Sequence, residues 1–175
     1  MLYNLVFTNT GIIKIAPKKA TASSEDPGFP PKQAIDGNIA KGFISHNHPE
    51  FLPWLMVKLT NQYKTVNLQK VKIFNRKDCC GSKLRNIEVR AGTTKLLSTQ
   101  RGKITDNIWC GEFKGPGGTK GEYVINCNPP CQKWCKVVPT IPASVVTIQI
   151  TDHKNTRQLG INEVEFFQYG KFSFK

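Results

Sequence analysis

The feature that most constrains this fold is a short-range alternation of apolar and polar residues that recurs along the chain. Apolar side chains occupy every second position in four runs, 55–59, 86–90, 146–150 and 163–166. Gly, Pro and Asn turns separate these runs, and no window keeps an apolar period of 3.6 residues over about ten residues. The pattern predicts an all-β sandwich.

A further run, 66–73, is apolar but changes its phase near Gln69 and Lys70. A strand can absorb such a change by carrying one extra residue, so we predict a β-bulge there. The chain of 175 residues is 39% hydrophobic and shows neither an internal repeat nor a linker. These properties indicate one globular domain with its own core.

Residues 75–85, which we call the cation–cysteine loop, lie between two of the predicted strands. The loop holds Arg76 and Lys83, with Asp78 two positions after the arginine. A carboxylate so placed can fix the guanidinium by charge-assisted hydrogen bonds, and fixed donors suit a sugar rich in oxygen lone pairs. Anions would also suit, and the alternative is that these are ordinary solvated charges.

The same loop contains the adjacent pair Cys79 and Cys80. The sequence allows two bonding patterns for this pair. The pair forms a strained vicinal disulfide, which would be a small apolar platform, or each cysteine bonds a distant partner. The chain has six cysteines, at positions 79, 80, 110, 127, 131 and 135. An even count without a zinc-binding spacing favours disulfides and an extracellular protein.

The formal net charge of +13 raises three classes of partner: nucleic acid, sulfated polyanions and anionic membranes. The lysines are scattered and no nucleic-acid-binding motif is present, so we expect no nucleic acid partner. No apolar run is long enough to span a bilayer, so we expect no membrane insertion.

The acidic residues and the cysteines of the sequence disfavour catalysis. A glycosidase needs two converging carboxylates, and none of the 12 Asp and Glu residues forms such a pair beside the cation–cysteine loop. A cysteine nucleophile needs a free thiolate, which the neighbouring cysteine disfavours. We expect a binding protein and no enzyme.

The order of several motifs resembles the F-type lectin (fucolectin) domain of the discoidin-like superfamily. These are Ala34–Asn38, His46, Pro53–Trp54 and Asn75–Lys83, where the last contains Arg-x-Asp, two cysteines and a second cation. The resemblance covers residues 12–175, with 1–11 as an N-terminal extension. It implies an eight-stranded jelly-roll β-sandwich whose short irregular loops carry a shallow site for L-fucose.

The resemblance also implies roles in that site. Two cations and a histidine would donate to the sugar oxygens, Asp78 would orient the arginine, and a vicinal disulfide would pack on the apolar side of the sugar. The implied fucose-binding residues are His46, Arg76, Asp78, Cys79, Cys80 and Lys83. His48 competes with His46, and Arg85 with Lys83. In some members an aromatic residue that helps to hold the fucose methyl group corresponds to Ala40.

Two structural features follow from the resemblance. The implied disulfides are Cys79–Cys80, Cys110–Cys127 and, as the leftover pair, Cys131–Cys135. A structural calcium ion would bind near the Asp36–Asn38 turn and a glutamate of the last strand. Its implied ligands are Gln33, Asp36, Asn38 and Glu163, since hard oxygen donors suit this ion.

The expected function is therefore that of a secreted lectin that recognises fucosylated glycans on cell surfaces or glycoproteins. Weak single-site affinity for sugars would favour homo-oligomers or tandem domains. The alternative is a discoidin-like adhesion module that binds anionic phospholipid or sulfated glycan, for which the charge is the main support. The sequence does not name the preferred glycan.

Overall fold

The computed structural model describes residues 11–47, 52–61, 64–97, 99–119, 121–127, 140–152 and 158–170. Within these ranges the chain forms twelve strands and two short 3₁₀ helices, Pro31–Ile35 and Gly81–Lys83, and no α-helix. No helix in the described part of the chain is long and apolar enough to cross a membrane. Residues 1–10 lie outside these ranges, so the N-terminal extension stays a prediction.

Ten of the strands form two five-stranded antiparallel sheets. The first sheet has the order β1 (Ile12–Ile15), β12 (Glu163–Tyr169), β5 (Val66–Phe74) and β8 (Glu122–Asn126), with β9 (Ile141–Ala143) also pairing with β5. The second sheet has the order β2 (Lys19–Ala22), β4 (Trp54–Lys58), β10 (Val145–Ile150), β6 (Ile87–Gly92) and β7 (Ile108–Phe113). A separate two-stranded ribbon pairs β3 (Phe43–Ile44) with β11 (Gly160–Ile161).

The two sheets pack face to face through the apolar positions of the alternating runs. Val71 and Ile73 of β5 and Val89 and Ile148 of the second sheet are all fully buried in one cluster. This confirms the predicted all-β sandwich, although the described residues divide it into twelve strands, several of them only two to four residues long.

The alternation is less strict in the second sheet because its outer face is covered as well. Trp54, Met56 and Val145 form a second buried cluster with Leu96 and Ile104 from the loop between β6 and β7. All six residues of β10 are consequently buried. A strand that is buried on both faces has no solvent-facing side, so its sequence need not alternate with polar residues.

The predicted bulge is present in β5. Phe167 of β12 pairs with Lys70, and the next residue, Gln168, pairs with Leu68, which leaves Gln69 as the extra residue. The bulge keeps apolar residues on the core side of β5 before and after the phase change.

One of the implied disulfides is present. Cys110 of β7 is bonded to Cys127, which directly follows β8. Because β7 and β8 belong to different sheets, the bond ties the two layers of the sandwich together. Cys131 and Cys135 lie outside the described residues, so their pairing stays a prediction.

Candidate functional site

The cation–cysteine loop is built around an ion pair between Arg76 and Asp78. The Nε atom of Arg76 donates to Oδ1 of Asp78 at 3.0 Å, and its Nη2 donates to Oδ2 at 2.6 Å. This hydrogen bonding holds the pKa of Asp78 well below its usual range and raises the pKa of Arg76. The arginine side chain is only 12% exposed, so the guanidinium is held in one place rather than free in solvent.

Asn75 fixes the backbone of this loop from below. It is buried, and its Nδ2 donates to the carbonyl oxygens of Gly81 at 2.9 Å and Gly118 at 2.8 Å, while its Oδ1 accepts from the N–H of Arg76. Gly81 packs so closely on Thr119 that a Cβ atom would lie 2.7 Å from its nitrogen. The loop therefore rests on the neighbouring 115–119 turn as well as on its own ion pair.

Cys79 and Cys80 are exposed thiols in the structure, and their sulfurs are not bonded to each other. A hydrogen bond with Cys80 raises the pKa of the Cys79 thiol, which disfavours the thiolate that a cysteine nucleophile needs. Cys80 has a positive φ of 60°, an uncommon conformation for a residue with a Cβ atom. The vicinal disulfide stays a prediction.

The second cation, Lys83, is joined to the predicted histidine by a chain of polar contacts. Its Nζ donates to Oε1 of Gln158 at 2.8 Å, and Nε2 of Gln158 donates to Oδ2 of Asp26 at 2.9 Å. The other oxygen of Asp26 lies 4.0 Å from Nε2 of His46. Two predicted sugar ligands from distant parts of the sequence are thus linked through Gln158 and Asp26, which no sequence motif marks.

Segment 158–160 is the structural centre of the site. Leu159 exchanges hydrogen bonds with Ser45, beside His46, and Gln158 also donates to the Ser45 carbonyl at 3.1 Å. A Cβ atom on Gly160 would lie 2.8 Å from Cδ of Arg76. The arginine stem therefore packs over this glycine, which brings His46, Arg76 and Lys83 to one segment of the chain.

A shallow cleft of about 210 Å³ opens beside the Arg76–Asp78 pair. Its other walls include Phe29, Ala40, Lys41 and Asn162. Phe29 is 39% exposed. The ring supplies an apolar surface on the same cleft as Ala40, the position where the resemblance placed an aromatic residue.

Of the two alternative ligands, Arg85 and His48, the structure describes only Arg85. Arg85 donates through Nε to the Ser82 carbonyl at 2.9 Å, so its guanidinium is engaged within its own loop. Lys83 contacts Gln158 and is thereby linked towards His46, whereas Arg85 is not, but the choice of Lys83 stays a prediction. His48 lies outside the described residues, so the choice of His46 over His48 stays a prediction.

No sequence signal marked the three residues that complete the site. Gln158 and Asp26 are isolated polar residues in polar stretches, and Phe29 lies in a turn-rich segment between prolines. Each joins the site only through contacts with residues far away in the sequence, which no local pattern records.

The predicted calcium ligands gather around the turn that follows the first 3₁₀ helix. The N–H of Gly37 donates to Oε2 of Glu163 at 3.0 Å, and Oδ1 of Asp36 accepts from the N–H of Asn38. Burial, reinforced by the charge of Asp36, raises the pKa of Glu163 to about 7. No three His, Cys, Asp or Glu side chains gather among the described residues, so carbonyl oxygens would have to complete a calcium shell.

The sequence is similar to a known protein family. Residues 33–159 match the family described as the NedA-like, galactose-binding domain of the F5/F8 type C group. The chain belongs to this family. Fucolectin from Anguilla anguilla is 28% identical over 106 residues, which cover 55% of this chain and 65% of the fucolectin.

Solved structures agree on the fold. The F-lectin (fucolectin) from Morone saxatilis serum superimposes with a TM-score of 0.63 at 22% identity, over 87% of this chain and 45% of that one. A fucose binding module of Streptococcus pneumoniae, SpX-3, superimposes with a TM-score of 0.61 at 18% identity, over 90% of this chain and 99% of the module. The matches confirm the resemblance to fucolectins and the discoidin-like sandwich. The chain has the fold of carbohydrate-binding lectin domains.

We expect Gln158→Leu to lower the affinity for L-fucose about tenfold, because Lys83 and Asp26 would lose the amide that holds them. The free energy of unfolding should change by no more than about 1–2 kcal/mol, since Lys83 and Asp26 are both partly exposed. Calorimetric titration and urea unfolding measure the two quantities. Gln168→Leu, at the far end of β12, is the control, and equal affinities in the two variants would contradict the role of Gln158.

Proposed function

We propose that this chain is a lectin domain that binds L-fucose-containing glycans through His46, Arg76 and Lys83. The observation that carries the proposal is the bidentate fixation of Arg76 by Asp78 at the edge of a cleft with an apolar wall. Membership of a galactose-binding family and the similarity to fucolectin support a sugar as the ligand.

The chemistry follows from the donors that stay available. Asp78 occupies Nε and one N–H of Nη2, and Nη2 also donates to the Cys79 sulfur at 3.6 Å, which leaves the two N–H groups of Nη1 for a ligand. Asp78 also neutralises the charge of Arg76, so the pair suits a neutral, oxygen-rich ligand better than an anion. His46 and Lys83, arranged by Asp26 and Gln158, would add donors to neighbouring hydroxyl groups.

The sulfurs of Cys79 and Cys80 are exposed and would lie beside the cleft, with the Cys79 sulfur 3.6 Å from Nη2 of Arg76. Once oxidised to a vicinal disulfide they would be a rigid apolar surface for the C–H face of the sugar. Oxidation requires an extracellular setting, which we propose as well. The preferred partners would be fucosylated glycans on cell surfaces or glycoproteins, with multivalency from homo-oligomers or tandem domains.

We propose that this domain has no catalytic activity of its own. The ionised carboxylate beside the cleft, Asp78, is fully engaged by Arg76 and has no second carboxylate facing it across that cleft among the described lining residues. Glycoside hydrolysis needs such a pair.

The decisive test of the site is Arg76→Ala. We expect loss of L-fucose binding by at least about a hundredfold, because charge-assisted donors to a sugar would disappear and Asp78 would be left unpaired. Lys77→Ala removes the same formal charge one residue away and should bind as the wild type does. If Arg76→Ala retained wild-type affinity in calorimetric titration, the site assignment would be wrong.

Phe29 should set the preference for a methyl group over a hydroxymethyl group at C6 of the sugar. Wild-type protein should prefer L-fucose over L-galactose, which differs only by a hydroxyl group at that carbon, because an apolar ring does not solvate a hydroxyl. Phe29→Ala should reduce this preference about fivefold to tenfold, while Ile39→Ala, another exposed apolar residue nearby in sequence, should not. Competition titration with the two sugars measures the ratio, and an unchanged ratio would remove Phe29 from the site.

We also propose a structural calcium ion, because the oxygen donors around Glu163 suit a hard divalent cation. The carboxylates of Asp36 and Glu163 would hold it, with carbonyl oxygens of Gln33 and Asn38. Its positive charge would offset the repulsion between the two carboxylates, and its role would be to stiffen the loops beside the sugar site.

The raised pKa of Glu163 gives this proposal a pH signature. In the metal-free protein the neutral form of Glu163 is favoured by folding, so its contribution to stability is fully present below the ordinary pKa of 4.5 and is lost as the pH rises through about 7. At pH 8, calcium at about a hundred times its dissociation constant should raise the free energy of unfolding by about 3 kcal/mol. Thermal unfolding with calcium and with a chelator measures both effects.

Glu163→Gln should abolish both the pH dependence in this range and the calcium response. Glu165→Gln, two residues along β12 and paired with Lys14, is the matched control and should keep both. A calcium response that survives in Glu163→Gln would contradict the ligand assignment.

A further inference from the structure

A second concave surface lies on the second sheet, away from the sugar site. Two adjoining hollows of about 310 and 220 Å³ share Lys58 and Lys95 in their walls. We call their union the basic cleft. Its lining includes Lys19, Thr21, Met56, Lys58, Lys64 and Lys95.

The charge of the basic cleft is uncompensated within the described part of the chain. Lys19 of β2 lies directly opposite Lys58 of β4 in the strand register, a placement of like charges that destabilises a sheet. None of the four cleft lysines forms an ion pair with a described residue, and no acidic residue lines either hollow. Lys14, Lys72 and Lys114, by contrast, each contact a glutamate.

The cleft also offers neutral contacts between its charges. Four residues with hydroxyl groups lie in its lining: Thr21, Thr65, Thr93 and Ser144. Met56, 8% exposed, contributes apolar surface to the smaller hollow. Hydroxyl donors, an apolar patch and separated ammonium groups together match a sugar ring that carries anionic substituents.

The basic cleft and the sugar site lie at opposite ends of the sandwich. Strand β5 has nine residues; it begins one residue after Thr65, which lines the cleft, and ends at Phe74, two residues before Arg76. At about 3.3 Å per residue, this strand separates the two sites by roughly 30 Å. A ligand in one site would leave the other open.

We infer that the basic cleft binds a sulfated glycan chain. Sulfate groups accept hydrogen bonds from lysines and form ion pairs with them, and four lysines around one cleft suit a polyanion. A flat anionic membrane fits less well, because apolar or aromatic side chains that insert beside the lysines strengthen such a contact. None of the exposed large apolar residues among those described lines this cleft. The inference is independent of the fucose proposal, since it concerns other residues and another ligand.

The test uses a heparin-derived hexasaccharide, with its desulfated counterpart and phosphatidylserine vesicles as alternative probes. Lys58→Gln/Lys95→Gln should lower the affinity for the hexasaccharide about tenfold or more at an ionic strength of about 0.15 M. Lys32→Gln/Lys114→Gln removes the same formal charge outside both sites and should lower it less than about threefold. Because Lys58 is half-buried, the single variant Lys95→Glu, at an exposed position, serves as a second measurement with little risk to folding.

Binding of the hexasaccharide with loss on desulfation, loss in the cleft variants and no competition by saturating L-fucose supports the inference. Equal losses in the cleft and control variants would show a general charge effect and overturn it. Binding to vesicles but not to the hexasaccharide would overturn it in favour of a membrane contact. The L-fucose affinity of the same variants reports separately on the sugar site, so failure of one proposal leaves the other measurable.

Discussion

The interaction on which the proposed site depends is the two-pronged contact between Arg76 and Asp78. An arginine in a surface loop ordinarily samples many rotamers, and ordering it for a ligand costs entropy at the moment of binding. Here Arg76 is already ordered in the folded protein. Asp78 binds its guanidinium, its stem packs over Gly160, and the buried Asn75 holds the loop backbone. The result is a preorganised donor whose charge is already balanced. The proposed fucose site therefore differs from the basic cleft, whose lysines form no ion pairs with described residues.

The sandwich explains how residues far apart in sequence reach that donor. Strands β5 and β6 carry the cation–cysteine loop between them, while the short β3–β11 ribbon brings His46 beside segment 158–160. Gln158 then joins Lys83 to Asp26, and Asp26 approaches His46. Each link is a side-chain contact across more than seventy residues or between separate loops, so the site exists only when both sheets have formed.

Much of the fold was predictable from the sequence because strand periodicity is local. The runs at 55–59, 86–90 and 146–150 became β4, β6 and β10, and the phase change near Gln69 became a bulge. The cation–cysteine loop was also predictable, since Arg76 and Asp78 are only two residues apart. The buried cluster on the outer face of the second sheet could not be predicted, because Trp54 and Leu96 meet only through a long loop without regular structure. Asp26, Phe29 and Gln158 escaped prediction for the same reason, and the lysines of the basic cleft are scattered in sequence and gather only across strands.

The most direct measurement of the central claim is a crystal structure of the protein with L-fucose bound. It should show nitrogen atoms of Arg76 and Lys83 at about 2.7–3.2 Å from oxygens of one sugar ring, with Asp78 still paired to Arg76 and the C–H face of the sugar over Cys79 and Cys80. A sugar bound elsewhere, or an Arg76 that leaves Asp78 and turns to solvent in the complex, would contradict the account.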